Sequence, residues 1–277
     1  MIDVLMAILL GIVEGVTEFL PISSTGHLIL VGALFGHPGI FAIEQFSFAF
    51  DVIIQLGAIL SVILYFWKKL WPFSADKNEE QKKETYAIWF KAIIGVIPAL
   101  AIGFFAHDYI EEHLTNPITV AIALIFWGVV LIWLERRDKT ATINDVSQLS
   151  LKIVLLIGFI QCIAMIPGTS RSAATIIGAM LLGSSRIVAA EYSFFLAIPT
   201  MAAASGYAFL KLIKSGIVMG GFEYLVLGVG FLVSFIVAYA VIAFLMRYIT
   251  RHDFQSFGYY RIVLGVLVLI YFGFVAQ

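Results

Sequence analysis

Residues 14–27, EGVTEFLPISSTGH, place two glutamates, a proline, several hydroxyls and an imidazole within an otherwise apolar part of the chain. Positions 4–13 before this stretch and 28–35 after it carry no formal charge. Ionisable side chains are costly in a hydrocarbon environment, so they indicate a functional site by default. A second stretch, 161–175, combines another proline with hydroxyls and an arginine. We interpret the remaining sequence as a membrane scaffold that brings the two stretches together.

Composition supports a membrane scaffold. Hydrophobic residues make up 61% of the chain and charged residues only 13%, whereas soluble domains carry about 25% charged residues. The single cysteine, Cys162, excludes an intramolecular disulfide and is expected to pack as a small apolar residue. No lysine or arginine precedes Lys68, so the basic segment of a cleaved signal peptide is missing and we expect the N-terminus to be retained.

The apolar runs predict an all-α polytopic integral membrane protein that forms a single membrane domain over 1–277. Two pairs of shorter runs are interrupted at a proline, and each run is shorter than the roughly 20 residues that a span needs. These pairs predict re-entrant helical hairpins, whose irregular backbone survives only where protein or water satisfies it. The six predicted spans are 48–67, 88–106, 117–134, 187–212, 222–246 and 260–276. The hairpins pair 3–20 with 22–35 and 151–166 with 170–183, and the predicted loops are 36–47, 70–87, 107–116 and 135–150.

The basic residues orient this arrangement. They concentrate in the loops 67–91, 135–152 and 246–261, whereas 106–116 has none and 211–222 has two. The positive-inside rule places the first three loops in the cytoplasm, and both termini and the first hairpin on the outer side. The residues counted in these three loops are Lys68, Lys69, Lys77, Lys82, Lys83, Lys91, Arg136, Arg137, Lys139, Lys152, Arg247, Arg251 and Arg261.

An internal repeat accompanies this topology. The segment 11–24 matches 158–170, and 51–59 matches 191–199. Each half, about 1–135 and about 150–277, contains one hairpin and three spans, so the second half starts from the opposite membrane face. Inverted repeats of this kind carry their sites near the midplane, where broken helices meet. The intramembrane side chains of Asp51, Gln55 and Glu191 either surround such a site or brace the fold, and the sequence does not distinguish between these two roles.

Glu14 and Glu18 lie four residues apart, so they share one face of a helix. Two buried carboxylates repel each other unless a cation or a shared proton lies between them. Mg²⁺ or Ca²⁺ prefers such oxygen ligands, so the pair predicts a divalent metal site. The alternative is a protonated or hydrogen-bonded structural pair.

The residues after Pro21 combine capping groups with a candidate nucleophile. Ser23, Ser24 and Thr25 are suited to capping a second helix, whose free N–H groups would form a phosphate cradle. His27 follows Ser24 by three residues, and a hydroxyl beside an imidazole is the minimal activated nucleophile. Capping alone, or a structural histidine, is the alternative interpretation.

The second stretch supplies the complementary charge. Arg171 is the only arginine in 151–185, and its planar fork suits bidentate phosphate binding. Ser170 and Ser172 flank it, and Thr175 lies four residues further on the same helical face. These groups favour phosphoryl transfer over solute transport, although Arg171 could instead neutralise a structural carboxylate.

The two stretches resemble the undecaprenyl-diphosphate phosphatase family, the bacitracin-resistance family of bacterial membrane proteins. Its first motif has two acids followed by Pro and Ser-Ser-Thr-Gly-His, and its second reads Pro-Gly-x-Ser-Arg-Ser-x-x-Thr; both match in full. Pro167 and Gly168 open the second match. The family's functional positions carry over as Glu14, Glu18, Ser24, His27, Ser170, Arg171 and Thr175.

The resemblance implies hydrolysis of undecaprenyl diphosphate to undecaprenyl phosphate and inorganic phosphate, which recycles a lipid carrier for peptidoglycan synthesis. It also implies a divalent-cation dependence, a location in the bacterial plasma membrane, a site open to the outer leaflet and bacitracin resistance. A homodimer is compatible with this assignment, and no nucleic-acid partner is expected. Our mechanistic hypothesis has Ser24 attack the terminal phosphorus with His27 as general base or acid, although direct attack by His27 or by water stays open.

Two alternatives belong to other classes. A transporter or flippase of polyprenyl phosphates would also use inverted repeats and paired broken helices. A phosphatase of the phosphatidic-acid type is rejected, because that family has His six and Asp ten residues after its Ser-Arg arginine. This chain has Ile177 and Leu181 at those positions.

Overall fold

A computed structural model describes residues 1–36, 38–137, 140–215 and 219–275. Apart from one isolated bridge between Ile143 and Ser184, every regular element in these ranges is helical. The α-helices are α1 Ile2–Thr17, α2 Ser24–Phe35, α3 Glu44–Tyr65, α4 Trp67–Leu70, α5 Glu79–Leu114, α6 Pro117–Glu135, α7 Leu151–Gln161, α8 Arg171–Leu181, α9 Arg186–Ser215, α10 Gly221–Tyr248 and α11 Gln255–Ile270. Short 3-10 turns cover Gly39–Ala42, Val146–Gln148 and Cys162–Met165, and a π turn covers Tyr271–Val275.

Six helical segments in the described ranges are long and apolar enough to cross a membrane: α3, α5, α6, α9, α10, and α11 continued by the start of the π turn, over Gln255–Gly273. They correspond in order to the six predicted spans, so the prediction of an all-α multi-pass membrane protein is confirmed. A helix of about 20 residues spans the hydrocarbon core, and α1, α2, α7 and α8 are all shorter than that. The four short helices form two consecutive pairs, as the sequence predicts.

The predicted loop boundaries were wrong around α5. Residues 70–87 were expected to form a loop, yet α5 begins at Glu79, because Asn78 and Gln81 form a reciprocal capping box with hydrogen bonds of 2.8 and 3.1 Å. The helix also runs through most of the predicted loop 107–116 and ends at Leu114. The helix continues through polar residues on both sides of its apolar window, and hydropathy alone does not predict those extra turns. Lys139 in the predicted basic loop and residue 276 in the last predicted span lie outside the described residues.

The breaks within the two short pairs have the same local geometry. Ser23 precedes α2 with φ 74°, and Ser170 precedes α8 with φ 73°, a left-handed conformation that is uncommon for residues other than glycine. The Ser23 hydroxyl accepts the N–H of Gly26 at 3.4 Å, and the Ser170 hydroxyl accepts the N–H of Ala173 at 3.2 Å. Both serines therefore serve as N-caps while the backbone turns sharply.

The helices pack closely against one another. α1 packs against α10, α7 against α5, and α6 against α11, while α3 contacts α10 and α9 contacts α5. Small residues permit the close approaches: a Cβ atom at Gly158 would collide with the carbonyl oxygen of Gly95 in α5. Phe19, next to the first break, packs edge to face on Phe194 of α9 with ring centroids 5.4 Å apart. The breaks thus lie inside the helical assembly.

Candidate active site

The two polar stretches meet where the two short-helix pairs break. The Ser172 hydroxyl at the start of α8 donates to the carbonyl oxygen of Leu20 at 2.9 Å, across the first break. The Arg171 guanidinium contacts the Glu18 carboxylate, with Nη2 and Oε1 3.3 Å apart. Backbone and charge contacts therefore join residues that are about 150 positions apart in the chain.

Glu18 is the centre of this junction. Its Oε2 accepts the Ser24 hydroxyl at 2.9 Å, while its Oε1 faces Arg171. The sequence paired Ser24 with His27, whereas the described hydrogen bond of the Ser24 hydroxyl is to Glu18. The reason is that α1 ends at Thr17, so the turn that follows brings Glu18 back over the first residue of α2. A hydroxyl, a carboxylate and a guanidinium thus form one connected row.

His27 makes two other hydrogen bonds. Its Nδ1 lies 2.7 Å from the carbonyl oxygen of Ser23, and its Nε2 lies 2.6 Å from the hydroxyl of Tyr260 in α11. A carbonyl oxygen can only accept, so the proton of the neutral ring is assigned to Nδ1 and Tyr260 donates to Nε2. The two rings are nearly parallel, with centroids 5.6 Å apart and an interplanar angle of 4°. Sequence reasoning missed Tyr260, because a tyrosine at the start of a span is also typical of the membrane interface.

Glu14 is buried with 0% exposure, and neither of its carboxylate oxygens has a hydrogen-bond partner. Glu18, Asp51 and Arg171 are the charged groups that act on it electrostatically. No cluster of three or more His, Cys, Asp and Glu side chains suited to one ion exists among the described residues. The residues that would hold a divalent ion here are Glu14 and Glu18, whose carboxylate oxygens are ligands that Mg²⁺ or Ca²⁺ prefers. The unpartnered Glu14 carboxylate fits that arrangement.

Arg171 is held in place but not saturated. Its Nη1 donates to the carbonyl oxygen of Ser193 at 3.1 Å, and its guanidinium lies 5.9 Å from the ring centre of Phe19. Its Nε is buried without a partner, as is the hydroxyl of Thr169 just before the α8 cap. Buried polar groups are almost always hydrogen-bonded, so these two groups are suited to contacting a polar ligand.

The remaining predicted phosphate ligands have different surroundings. Ser172 and Thr175 are almost fully buried, and the Thr175 hydroxyl lies 2.6 Å from that of Ser193. Ser170 lies 3.0 Å from Ser172 through their hydroxyls, whereas Thr25 is exposed in the first turn of α2. The structure thus gives Ser172 and Thr175 protein partners, and phosphate binding by them stays a prediction.

The intramembrane polar residues separate into two groups. Glu191 forms an ion pair with Lys69 at 2.7 Å, which connects α9 to α4 at the lysine-rich end of the fold. Asp51 instead belongs to the electrostatic surroundings of Glu14. These interactions favour bracing of the fold by Glu191 and a place near the site for Asp51, and the role of Gln55 stays a prediction.

Arg261 was wrongly assigned to a cytoplasmic loop. It lies in α11 with 0% exposure, because its guanidinium finds four backbone acceptors inside the protein. Nη1 donates to Pro21 at 3.1 Å, Nη2 to Gly168 and Thr169 at 2.9 Å each, and Nε to Leu124 at 3.4 Å. One buried side chain therefore contacts both breaks.

The sequence of the chain is similar to those of many known proteins. The family model described as "Bacitracin resistance protein BacA" matches residues 7–267. The chain is 53% identical to undecaprenyl-diphosphatase 1 of Clostridioides difficile, over 98% of this chain and 97% of the relative. It is 47% identical to undecaprenyl-diphosphatase 1 of Oenococcus oeni, over 96% and 95% of the two chains. It is 49% identical to undecaprenyl-diphosphatase of Enterococcus faecalis, over 97% of each chain.

Proposed function

The chain belongs to the BacA bacitracin resistance protein family, and we propose that it hydrolyses undecaprenyl diphosphate to undecaprenyl phosphate and inorganic phosphate. This is the activity named for its relatives. The observation that carries the proposal is the Glu18 carboxylate, shared between the Ser24 hydroxyl at 2.9 Å and the Arg171 guanidinium at 3.3 Å. The reaction recycles a lipid carrier for peptidoglycan synthesis, and abundant enzyme confers bacitracin resistance.

Substrate binding relies on positive charge and on N–H groups at the breaks. Arg171 holds an unpartnered Nε, and α2 and α8 both begin at the breaks, where a helix N-terminus favours an anion. Ser170, Ser23 and Thr25 flank these turns. Glu14 and Glu18 would hold a divalent cation, Mg²⁺ or Ca²⁺, which supplies charge neutralisation of the diphosphate. Preorganised positive charge of this kind is usually the largest contribution to phosphoryl-transfer catalysis.

The chemical steps follow from the row of hydrogen bonds. Ser24 Oγ attacks the terminal phosphorus, and its proton passes to Glu18 Oε2. The bond between that phosphorus and the bridging oxygen breaks, and undecaprenyl phosphate leaves with the bonding electrons. Water then attacks the phosphoserine, Ser24 Oγ leaves and recovers its proton from Glu18, and both water protons end on the released phosphate. His27 assists the proton movement of this second step.

The placement in the membrane is part of the same proposal. The pairs of short helices are re-entrant, and the halves 1–135 and 150–277 form an inverted repeat in the bacterial plasma membrane. Equivalent helix contacts support this arrangement, since α1 packs on α10 as α7 packs on α5, and α3 packs on α10 as α9 packs on α5. Most lysines and arginines cluster at one set of helix ends, and under the positive-inside rule this supports an outer position for the termini and the site. The homodimer stays a prediction.

The test is phosphate release from undecaprenyl diphosphate by purified protein in detergent. We expect release by the wild type to stop with a chelator and to return with Mg²⁺ or Ca²⁺. Arg171→Ala should lose at least about 100-fold in kcat/KM, since a charge-assisted hydrogen bond contributes roughly 1.5–3 kcal/mol and the Arg171 guanidinium would make more than one to the diphosphate. Arg251→Ala, at an exposed arginine, is the matched control. No release by folded wild type with either ion would refute the proposal and favour a lipid transporter, to be tested by flux in vesicles.

Covalent labelling tests the role of Ser24. Substrate labelled in its terminal phosphate should transfer label to the wild type but not to Ser24→Ala. Ser24→Cys, which keeps a nucleophilic atom at the position, serves as the companion variant. Label that persists on Ser24→Ala would exclude the serine as nucleophile and leave His27 as the candidate.

A further inference from the structure

Helix α11 contributes two adjacent side chains to the junction, and neither belongs to the two sequence motifs. We propose that Tyr260 and Arg261 are positioning residues for the phosphatase reaction: Arg261 holds the two helix breaks against each other, and Tyr260 holds the imidazole of His27. The inference rests on the proposed function, because the groups that it positions are those of the proposed phosphoryl transfer.

Arg261 connects the breaks directly. Its Nη1 donates to the carbonyl oxygen of Pro21 in the first break, and its Nη2 donates to those of Gly168 and Thr169 in the second. The side chain is fully buried, and all four of its hydrogen-bond acceptors are backbone carbonyl oxygens. A planar guanidinium presents several donors in a fixed fork, whereas a lysine ammonium is a single point of charge. Only arginine can therefore reach both breaks from one position in α11.

The carbonyl oxygens that Arg261 holds are next to strained residues. Pro21 precedes Ser23 by two positions, and Thr169 directly precedes Ser170, the two serines with φ near +74°. Non-glycine residues persist in this conformation only where the surroundings over-determine it. Ser23 in turn offers its carbonyl oxygen to His27, and Ser170 precedes Arg171. Fixing the two turns therefore fixes the directions in which the imidazole and the guanidinium leave the backbone.

Tyr260 acts on the opposite side of the imidazole. Its hydroxyl lies 2.6 Å from Nε2 of His27, and the Ser23 carbonyl lies 2.7 Å from Nδ1, so both ring nitrogens are engaged. The carbonyl assigns the proton to Nδ1, and the tyrosine hydroxyl donates to Nε2. Tyr260 is 45% exposed, so it stands at the open side of the site. It thereby presents one tautomer and one ring orientation of His27 to the reaction.

The first experiment compares Tyr260→Phe with Tyr259→Phe. The neighbouring Tyr259 is similarly exposed and also makes one described hydrogen bond, accepting from Arg136 at 2.9 Å, so it is a matched control. We expect Tyr260→Phe to lower kcat about tenfold with KM and the melting temperature unchanged, and Tyr259→Phe to change none of these values. Equal kcat values for wild type and Tyr260→Phe would overturn the assignment of Tyr260.

Nitrogen NMR supplies a readout that a purely structural role would leave unchanged. The chain has five histidines, and His27→Gln identifies the signals of His27 in ¹⁵N-histidine-labelled protein. We expect the wild type to show a protonated Nδ1 and a hydrogen-bonded, unprotonated Nε2. In Tyr260→Phe the Nε2 signal should shift toward that of a free acceptor and Nδ1 should lose part of its proton. Unchanged His27 signals in Tyr260→Phe would contradict the proposed contact.

The second experiment compares Arg261→Lys with Arg251→Lys. Arg251 is exposed and lies in the segment between α10 and α11, so it serves as the control. Lysine replaces the fork by a single amine, so we expect kcat to fall at least about 100-fold in folded Arg261→Lys, with no change for Arg251→Lys. Activity of Arg261→Lys within threefold of wild type would show that charge alone suffices and would refute the clamp. If Arg261→Lys fails to fold, the clamp is tested instead by Arg261→Gln, which keeps a planar group with fewer donors and should retain partial activity.

The two proposals fail in distinguishable ways. Wild-type protein that releases no phosphate would end the proposed function, yet the ¹⁵N signals of His27 would still report whether Tyr260 holds the ring. An active wild type with unchanged kcat and unchanged His27 signals in Tyr260→Phe would end the inference on Tyr260 and leave the phosphatase intact.

Discussion

Ser172→Ala separates a brace between the two breaks from a phosphate ligand. Ser172 is 0% exposed. Its hydroxyl donates to the carbonyl oxygen of Leu20 at 2.9 Å and lies 3.3 Å from that of Glu18. It also lies 3.0 Å from the hydroxyl of Ser170. These contacts predict that alanine weakens the junction of the two breaks rather than substrate binding alone.

The expected loss follows from the contacts. A typical intramolecular hydrogen bond contributes about 0.5–1.5 kcal/mol net, and such bonds in membrane proteins average about 0.6 kcal/mol. Alanine removes one donor to the Leu20 carbonyl oxygen, which keeps the N–H of Ile22 at 2.7 Å, and it also removes the longer contacts to Glu18 and Ser170. We therefore expect Ser172→Ala to lower the free energy of unfolding by about 1–2 kcal/mol, which is roughly 5–30-fold in the unfolding equilibrium.

The assay is an SDS titration of detergent-solubilised protein followed by circular dichroism, together with kcat and KM for phosphate release. Ser184→Ala is the matched control, because Ser184 is 4% exposed and its hydroxyl has no hydrogen-bond partner. We expect Ser184→Ala to unfold like the wild type, and Ser172→Ala to unfold earlier and to have a lower kcat. A raised KM with unchanged unfolding for Ser172→Ala would show that the serine binds phosphate and would refute the brace.

Three further predictions use the same preparations. Gly158→Ala should lower the melting temperature and the yield of folded protein, because its Cβ would collide with the backbone of α5. Gly228→Ala, which has open space around its Cβ, should be neutral or stabilising in the same melting measurement. Lys69→Met should lower the free energy of unfolding by about 1 kcal/mol through an unpaired Glu191 and leave kcat unchanged; a loss of kcat would place this ion pair in the site. Thr175→Val should lower kcat about tenfold, because valine lacks the hydroxyl that lies 2.6 Å from that of Ser193 on α9, whereas Thr175→Ser keeps the hydroxyl and should keep kcat. Equal kinetics of the two variants would contradict this role.

Hydropathy predicts this fold well because a helix that crosses the lipid must be apolar over about 20 residues. Each of the six long described helices contains an apolar window that the sequence displays directly, as in Pro117–Glu135. The ends are harder to predict, because outside the lipid the helix is stabilised by caps instead of hydrophobicity. The Asn78 and Gln81 capping box begins α5 within a stretch whose composition is that of a loop.

The site is predictable in its residues but not in its pairings. The motifs identify Glu18, Ser24 and Arg171, since each is a polar group in an apolar region. Helical spacing pairs Ser24 with His27, because it assumes that α2 alone arranges them. The turn after α1 brings Glu18 to Ser24 instead, and spacing within one helix carries no information about such a turn.

Tyr260 and Arg261 illustrate a second limit of sequence reasoning. An arginine and a tyrosine at the start of a span have the same pattern whether they face the membrane interface or the protein interior. The carbonyl oxygens at the breaks decide which way these side chains face, because the breaks leave them without a helical N–H partner. One of them is that of Gly168, which accepts from Arg261 and lies about 90 positions away in the chain. One sequence without the folded structure contains no signal for that contact.

The distribution of hydrogen bonds at the junction distinguishes groups that support the breaks from groups that meet substrate. Irregular backbone within a membrane must be satisfied by protein or water, and here Arg261 and Ser172 satisfy the carbonyl oxygens of both breaks. The buried groups at the junction that have no described partner include the Glu14 carboxylate oxygens and the Nε of Arg171, whose Nη2 is ion-paired with Glu18. Charged groups that are only partly satisfied incur a desolvation cost, which a bound diphosphate and its cation would lower. For this reason we assign recognition of the diphosphate and its cation to Arg171 and Glu14, and positioning to Arg261 and Ser172.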